Sequence, residues 1–199
     1  QLDARNDLTT EEKEAAKADA QARATAAKNN IDTATTNSTV DNAKTTGVAD
    51  VESVNPQASQ KKTDAKNAVD EALKAKEAEI DANNDLTAEE KSKAKEDAKS
   101  KADVAKQAID NATTNDAVTQ AKNAGAISVD SVTPTPVAKP AAKQAIDDAL
   151  KAKNDAIDAN NDLTDEEKAK AKEDAKAKAD AAKQAIDNAT TNDAVTQAK

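Results

Sequence analysis

The 199-residue chain contains no His, Cys, Met, Phe, Tyr or Trp and carries a formal net charge of −9 at pH 7. This composition excludes cysteine and histidine nucleophiles, an imidazole general base, and metal sites built from His or Cys. It also excludes aromatic stacking platforms for single-stranded nucleic acid, and the acidic balance disfavours a nucleic-acid partner.

The chain consists of nearly three copies of one sequence. The segment Leu8–Lys13 returns as Leu86–Lys91 and again as Leu163–Lys168, at offsets of 78 and 77 residues (86 − 8 and 163 − 86). A fixed period indicates an array of similar structural modules. We therefore predict three segments. They are a partial repeat over residues 1–56 (the end of helix 1, with helices 2 and 3), a complete three-helix repeat over 57–134, and a partial repeat over 135–199 (helices 1 and 2 and the start of helix 3).

The apolar content comes mostly from alanine. High charge with few bulky aliphatic residues is typical of disordered chains. However, Ala, Glu, Lys and Gln all favour helices, and the bulky residues recur at helical spacing in each copy. We therefore expect folded helical modules with thin cores and modest stability, with disorder as the alternative.

The first helix of the complete repeat is predicted over residues 60–83. Val69, Leu73 and Ile80 lie on one helical face, with Ala and Lys76 filling the stripe. The segment Asn83–Asp85 should end this helix, because Asn and Asp favour turns. The last copy repeats the pattern with Ile146, Leu150 and Ile157, and places Pro140 in the first turn.

The second helix begins with a capping signal. Thr87 followed by Glu90 matches a capping box, in which each residue caps the other's backbone N–H. Leu86 precedes the cap, but its usual staple partner is Lys91, so we expect Leu86 to pack into the bundle. The helix should continue to about Ala112. The other two copies carry the same box as Thr9 with Glu12 and Thr164 with Glu167.

The third helix should follow the turn Thr113–Asn115. Its apolar stripe comprises Val118, Ala121, Gly125, Val129 and Val132. Gly125 is either a helix stop or an internal glycine where helices approach closely, and the continuous stripe favours the second interpretation. Pro56 and Pro134 should end the repeats. The resulting prediction is an all-α fold of tandem three-helix bundles joined end to end into an elongated rod.

Several segments carry residues that could form a site. The segments Asp81–Asp85 and Asp158–Asp162 resemble the start of a calcium loop. However, Leu86 or Leu163 occupies the position at which a calcium loop requires Gly. Ser92 or Ala169 occupies the position of its closing Glu ligand. A turn is therefore the better interpretation, with weak calcium contact as the alternative.

Other acidic and polar motifs have plain structural interpretations. Asp97, Asp103 and Asp110 have no apolar pocket to raise a carboxyl pKa for catalysis. The glycosylation-like triplets at Asn37, Asn111 and Asn188 fall at interhelical turns. We therefore predict no catalytic, cofactor-binding or metal-binding residues, no cofactor and no enzymatic activity.

The order of motifs resembles a known family of repeats. The pattern IDANNDLTAEEKSKAKEDAKSKADVAKQAIDNATTNDAVTQAKNAG, together with the ending Val51–Pro56, is similar to the domain-of-unknown-function family numbered fifteen forty-two. The resemblance covers essentially the whole chain. It implies a surface-exposed fibrous region of a Gram-positive cell-wall adhesin involved in aggregation, biofilm and matrix attachment. The family offers no catalytic residues to carry over.

Two functions are consistent with the sequence. The first is a stalk that projects a distal binding domain from the cell wall, with neighbouring repeats of the same chain as its contacts. The second is a multivalent module that binds matrix or serum proteins, or the same repeats on another cell. Because such interfaces usually depend on aromatic or Arg anchors, and only Arg5 and Arg23 are present, the stalk is favoured. We expect a monomeric, extracellular, cell-wall-attached protein region, with its signal peptide and anchor outside this segment and no membrane insertion within it.

Overall fold

The computed structural model describes residues 1–199 and contains helices but no strands. This confirms the predicted all-α fold. After a short 3-10 turn at Leu2–Ala4, the helices are α1 (Thr10–Asp32), α2 (Asn37–Glu52), α3 (Gln60–Ala82), α4 (Ala88–Asn111), α5 (Asn115–Asp130), α6 (Ala138–Ala159), α7 (Asp165–Asn188) and α8 (Asn192–Ala198).

The local signals place the first two helices of the complete repeat correctly to within one residue. The third helix, α5, runs through Gly125, as the apolar stripe predicted, but it ends at Asp130. Val132 therefore lies beyond the helix, in the linker, and is nevertheless buried. Val132 instead packs in a core with Ile80, Leu86, Ala94 and Ala98, which belong to α3, α4 and the turn between them.

The chain divides into two compact units, and each joins parts of two sequence repeats. The first unit comprises Gln1–Ala72 and Lys101–Val129, and the second comprises Leu73–Ser100 and Asp130–Lys199. The division into segments 1–56, 57–134 and 135–199 remains a prediction from the sequence. What the structure adds is that each compact unit contains one contact surface between consecutive repeats.

In the first unit, small residues allow close helix packing. α1 packs against α2, and a methyl group at Gly47 would overlap the Cβ of Ala27. Gly125 of α5 lies in the same way against Ala105 of α4, close to Val69 of α3. Glycine is required at these positions because of the close approach of the helices, since neither glycine has a positive φ angle.

In the second unit, two small cores hold the helices together. One core contains Ile80, Leu86, Ala94, Ala98 and Val132, with Leu73 packed against it. The expected burial of Leu86 is confirmed, because its side chain is only 2% exposed. The other core joins α6, α7 and α8 through Ala142, Ile186, Ala189 and Val195.

Candidate functional site at the repeat junctions

Two contact surfaces join consecutive repeats, and we refer to them as the junctions. In the first junction, the start of α1 meets the start of α3 and the turn between α4 and α5. In the second junction, the start of α4 meets the start of α6 and the turn between α7 and α8. Both are built by the repeated segments Leu8–Lys13 and Leu86–Lys91.

The capping boxes form the starting point of each junction. The backbone N–H of Thr87 donates to Glu90 Oε2 over 3.0 Å, and the Glu90 N–H donates to Thr87 Oγ1 over 3.4 Å. The boxes at Thr9 and Thr164 have both bonds as well. The three predicted capping boxes are therefore present. They fix the direction in which each second helix leaves its turn.

The second carboxylate oxygen of the box glutamate contacts the following repeat. Glu12 Oε1 accepts a 2.9 Å hydrogen bond from the hydroxyl of Ser59, which precedes α3. Glu90 Oε1 accepts from the backbone N–H groups of Val137 and Ala138, at 2.9 and 3.0 Å. One carboxylate therefore satisfies donors at the N-termini of two helices in consecutive repeats.

The neighbouring glutamate contacts the third helix of the following repeat. Glu11 Oε2 accepts from the N–H of Asn115 over 3.1 Å, and Glu89 Oε2 accepts from the N–H of Asn192 over 3.0 Å. Asn115 and Asn192 are the first residues of α5 and α8. A carboxylate placed at the start of a helix also stabilises the helix dipole.

A backbone hydrogen bond closes each junction. The N–H of Thr10 donates to the carbonyl of Thr113 over 2.8 Å, and the N–H of Ala88 donates to the carbonyl of Thr190 over 2.7 Å. These pairs are about one hundred residues apart in sequence. Because backbone bonds depend on the relative position of two segments and not on side-chain choice, they fix the register of one repeat on the next.

A buried lysine lies beneath each of these contacts. Lys139 is 5% exposed, and its Nζ donates to the carbonyls of Asn84 and Asp187 over 2.8 and 2.7 Å. Lys62 is buried to the same extent and donates to the carbonyls of Asn6 and Asp110, at 3.4 and 2.8 Å. The Lys139 ammonium group lies near the C-terminal ends of α3 and α7, and the Lys62 ammonium group lies near the C-terminal end of α4. The helix dipole favours a positive charge at these positions.

The three capping threonines differ in their exposure to solvent. Thr9 and Thr87 are both fully buried, whereas the equivalent Thr164 is exposed. Leu163 is likewise more exposed than Leu86. Thr164 and Glu167 make only the contacts of their own box. The burial of Thr9 and Thr87 is therefore a property of the junctions and not of the capping box itself.

The junction carboxylates have lowered pKa values. Burial would raise the pKa of the Glu90 carboxyl, but the N–H groups of Thr87, Ala138 and Val137 together hold it below its ordinary value. Burial would also raise the pKa of the Glu12 carboxyl, but the hydrogen bonds from Thr9 and Ser59 outweigh burial and lower this pKa. For Glu89, the N–H of Asn192 is the main cause of a lowered pKa. The junctions therefore favour ionised glutamates.

Exposed ion pairs between the first and second helices repeat along the chain. Lys95 pairs with Asp81 over 2.5 Å, and Lys66 pairs with Asp110 over 2.8 Å. Their equivalents in the other copies are the pairs Lys17–Asp3, Lys172–Asp158 and Lys143–Asp187. Such partly exposed pairs contribute little stability individually. They show that lysines and acidic residues interleaved along the sequence pair between neighbouring segments of the fold.

The calcium-loop-like segments, the three aspartates and the asparagine triplets lie in turns, within helices and at helix ends. Asn83 Oδ1 accepts from the N–H of Asp85, and Asn160 Oδ1 accepts from the N–H of Asp162, so these segments form turns stabilised by Asn. No group of three or more acidic side chains is arranged to hold a metal ion. Asp97 and Asp103 lie within α4 together with the paired Asp110, while the three triplet asparagines lie at helix ends.

Both arginines are used within the first unit. Arg5 pairs with Asp7 over 2.6 Å and donates to the carbonyl of Pro56 over 3.1 Å, which ties the turn before α1 to the linker after α2. Arg23 donates to Asp19 and Asp50. The arginines are therefore engaged in contacts inside the chain.

Sequence reasoning identified the caps but missed the junctions. The bonds between repeats join residues 47 to 105 positions apart, which no local pattern indicates. Two signals were present in the sequence. Both glutamates of the box recur in every copy, although a box needs only the second one. A lysine also recurs at positions 62 and 139 near the apolar stripe of helix 1.

No helix combines the length and apolar character that crossing a membrane requires. No solved structure matches the chain. At the level of sequence, the chain is similar to the "Extracellular matrix-binding protein EbhA" of Staphylococcus aureus (strain Newman), with 34% identity over 195 residues, or 98% of this chain. It has the same identity to the "Extracellular matrix-binding protein ebh" of strain NCTC 8325 / PS 47. The chain spans only 6% and 2% of the length of these two relatives.

The repeats themselves match one family three times. The family is described as "Domain of Unknown Function (DUF1542)", and its matches cover residues 1–59, 61–137 and 138–199. The matches agree with the resemblance drawn from the repeated motifs. The chain therefore belongs to the DUF1542 family of tandem repeats.

Proposed function

We propose that this chain is part of a stalk that projects a distal binding domain from a bacterial cell wall. The observation that carries the proposal is the duplication of the junction. Both junctions use the same glutamates, the same backbone bond and the same buried lysine, displaced by one repeat. A repeated, directional contact is what an array needs for its length to increase in proportion to its number of repeats.

The composition supports the same function. The interleaved charges and the net charge of −9 resist self-association, and the chain offers no catalytic nucleophile of the Cys or His type. In this proposal the repeats work by geometry. The number of repeats sets the reach, while the bonds at each junction restrict bending between neighbours. The protein acts as a monomer outside the cell, and its contacts are neighbouring repeats of the same chain.

Small-angle X-ray scattering on this chain tests the proposal. A compact globule of this length should have a radius of gyration of about 16 Å, and an unfolded chain about 48 Å. Three modules stacked along their helices, at 1.5 Å per residue, form a rod about 100 Å long with a radius of gyration of about 30 Å. A value near either extreme would contradict the stalk. Chains with added repeats should lengthen by about 35 Å for each repeat.

A second function is a multivalent binding module for matrix proteins. A cleft lies beside each junction, between the start of helix 2 and the linker that follows helix 3. The cleft volumes are about 450 Å³ beside Leu8 and Pro56, and about 430 Å³ beside Ala94 and Pro134. A weak site present once in each repeat gains strength through multivalency. The relatives are named as matrix-binding proteins, which supports this alternative.

The alternative can be separated from the stalk by a binding series. Fragments with one, two and three repeats are passed over immobilised matrix protein at a fixed molar concentration of repeats. A binding module should gain affinity steeply with repeat number. A spacer should show no measurable binding at any length. Substitution of Pro134 and Val132 by Ala, which alters the cleft, should weaken any binding that depends on it.

A further inference from the structure

We infer that the first helix of the third repeat, α6, receives its N-terminal cap from the preceding repeat through Glu90, so that one carboxylate couples the folding of the two repeats. This inference deepens the proposed stalk function, on which its biological meaning depends. The structural statement itself concerns only the second compact unit. It can therefore be tested separately from the length or shape of the array.

The start of α6 lacks a cap of its own. Val137 occupies the N-cap position, and its apolar side chain makes no capping hydrogen bond. The preceding residue is Pro136, which carries no hydroxyl or carboxyl group and no backbone N–H. The first N–H groups of any helix have no partner within the helix, so they must be satisfied from elsewhere or by water. At α6 the partner belongs to another helix.

Glu90 is that partner. Its Oε1 accepts from the N–H groups of Val137 and Ala138, at 2.9 and 3.0 Å, while its Oε2 accepts from the N–H of Thr87. The glutamate lies 47 residues before Val137, in the first turn of α4. A carboxylate with two acceptor oxygens can therefore cap α4 and α6 together. Loss of order in the first turn of α4 would remove the cap of α6.

In the first junction, the corresponding helix α3 also has a cap of its own. Ser59 precedes α3, and its Oγ accepts from the N–H of Lys62 over 3.1 Å, so α3 carries its own cap. Glu12 contacts the start of α3 through the Ser59 hydroxyl, at 2.9 Å, and through the backbone N–H of Lys61, which helps to lower the pKa of Glu12. Pro136 stands where Ser59 stands, 77 residues later. The exchange of serine for proline is thus the sequence difference that transfers capping of the helix to the preceding repeat.

The experiment compares Glu90→Ala with Glu167→Ala by amide hydrogen exchange of the whole chain. Both variants lose their own capping box, but only Glu90 also caps α6. We expect the amides of Val137 and Ala138 to exchange about fivefold faster in Glu90→Ala, the effect of losing one helix cap. These two amides should be unchanged in Glu167→Ala. Equal exchange in wild type and Glu90→Ala would overturn the inference.

A rescue variant makes the test specific. Adding Pro136→Ser to Glu90→Ala gives α6 a serine at the position of Ser59, whose hydroxyl accepts from the N–H three residues later. The serine should therefore protect the amide of Lys139 and restore order to the first turn of α6. If the Lys139 amide exchanges no more slowly than in Glu90→Ala, the loss reflects general damage to α4 and the inference fails. Where circular dichroism shows that Glu90→Ala has lost helicity, Glu90→Gln replaces it. An amide has a single acceptor oxygen, so exchange must accelerate at either Thr87 or Val137. Acceleration at neither amide would also overturn the inference.

These outcomes are independent of the stalk. A scattering value that contradicts the stalk would leave the exchange result untouched, because the latter measures hydrogen bonds inside one compact unit. Conversely, unchanged exchange in Glu90→Ala would remove the coupling while leaving the array's length as measured.

Discussion

Gly125 of α5 packs so closely against Ala105 of α4 that a methyl group at position 125 would overlap the Cβ of Ala105. The same relationship joins Gly47 to Ala27 in the first repeat. These are the only two glycines in the chain. Each lies inside a helix, where glycine lowers helix stability relative to alanine. The close approach that glycine permits must therefore stabilise the bundle by more than the helix loses.

The substitution Gly125→Ala should destabilise the protein. Alanine improves helix propensity by about 1 kcal/mol, but overpacking at a tight contact costs about 1–3 kcal/mol. We expect a net loss of about 1 kcal/mol in the free energy of unfolding, measured by urea denaturation. The double variant Ala105→Gly with Gly125→Ala moves the methyl group to the other helix and should recover most of that loss. A single variant as stable as wild type would contradict the prediction, because the overpacking cost would then be no larger than the gain of about 1 kcal/mol in helix propensity.

Lys139→Met should weaken the second junction. The substitution keeps the length of the side chain but leaves the carbonyls of Asn84 and Asp187 without their donor. Loss of a charged donor to buried groups costs about 1–3 kcal/mol. Lys66→Met is the matched control, because it removes only a partly exposed ion pair with Asp110, worth less than about 1 kcal/mol. Equal effects of both variants on urea denaturation would contradict a special role for Lys139.

The thin cores should depend strongly on their few bulky residues. Ile80 is 1% exposed within the core that also contains Leu86. Ile80→Ala should lower the free energy of unfolding by about 2–5 kcal/mol, through lost burial and the cavity that remains. Val104 is 64% exposed, so Val104→Ala should change stability by less than about 0.5 kcal/mol. Comparable losses in the two variants would show that the core does not form around Ile80.

Stability should fall in acid and stay nearly constant around neutrality. The pKa of the Glu90 carboxyl is lowered in the folded chain from its ordinary value of 4.5, since the hydrogen bonds from Thr87, Ala138 and Val137 outweigh burial. Its contribution is present above the unfolded value and is lost as the pH falls through the lowered folded value. The pKa of Glu89 is lowered as well. Because the chain has no His, no side chain titrates normally near pH 6.5.

The measurement is urea denaturation at pH 7, 5 and 3.5. We expect similar midpoints at pH 7 and 5 and a clear decrease at 3.5. The Glu90→Gln variant cannot ionise at this position, so its decrease should be smaller than that of wild type. A wild-type midpoint that is the same at all three pH values would contradict the role of ionised glutamates at the junctions.

Short-range features of the fold could be predicted from the sequence. A capping box places a threonine and a glutamate three residues apart. Its hydrogen bonds depend only on the local chain, so the box can be predicted from the sequence. The apolar stripe through Gly125 likewise favoured an internal glycine, and α5 runs through it. The end of α5 at Asp130 was missed, because burial of Val132 is decided by core residues on other elements and not by the helical period.

The sequence by itself determined the helices, their caps and the period of the array, because each depends on residues within a few positions of one another. Only the tertiary structure decided what the remaining acceptors and donors do. The second oxygen of Glu90, the carboxylate of Glu89 and the ammonium group of Lys139 all bind partners more than 45 residues away. Such pairs require that the helices be packed and the repeats docked. Packing brings together groups that no spacing along the chain could connect.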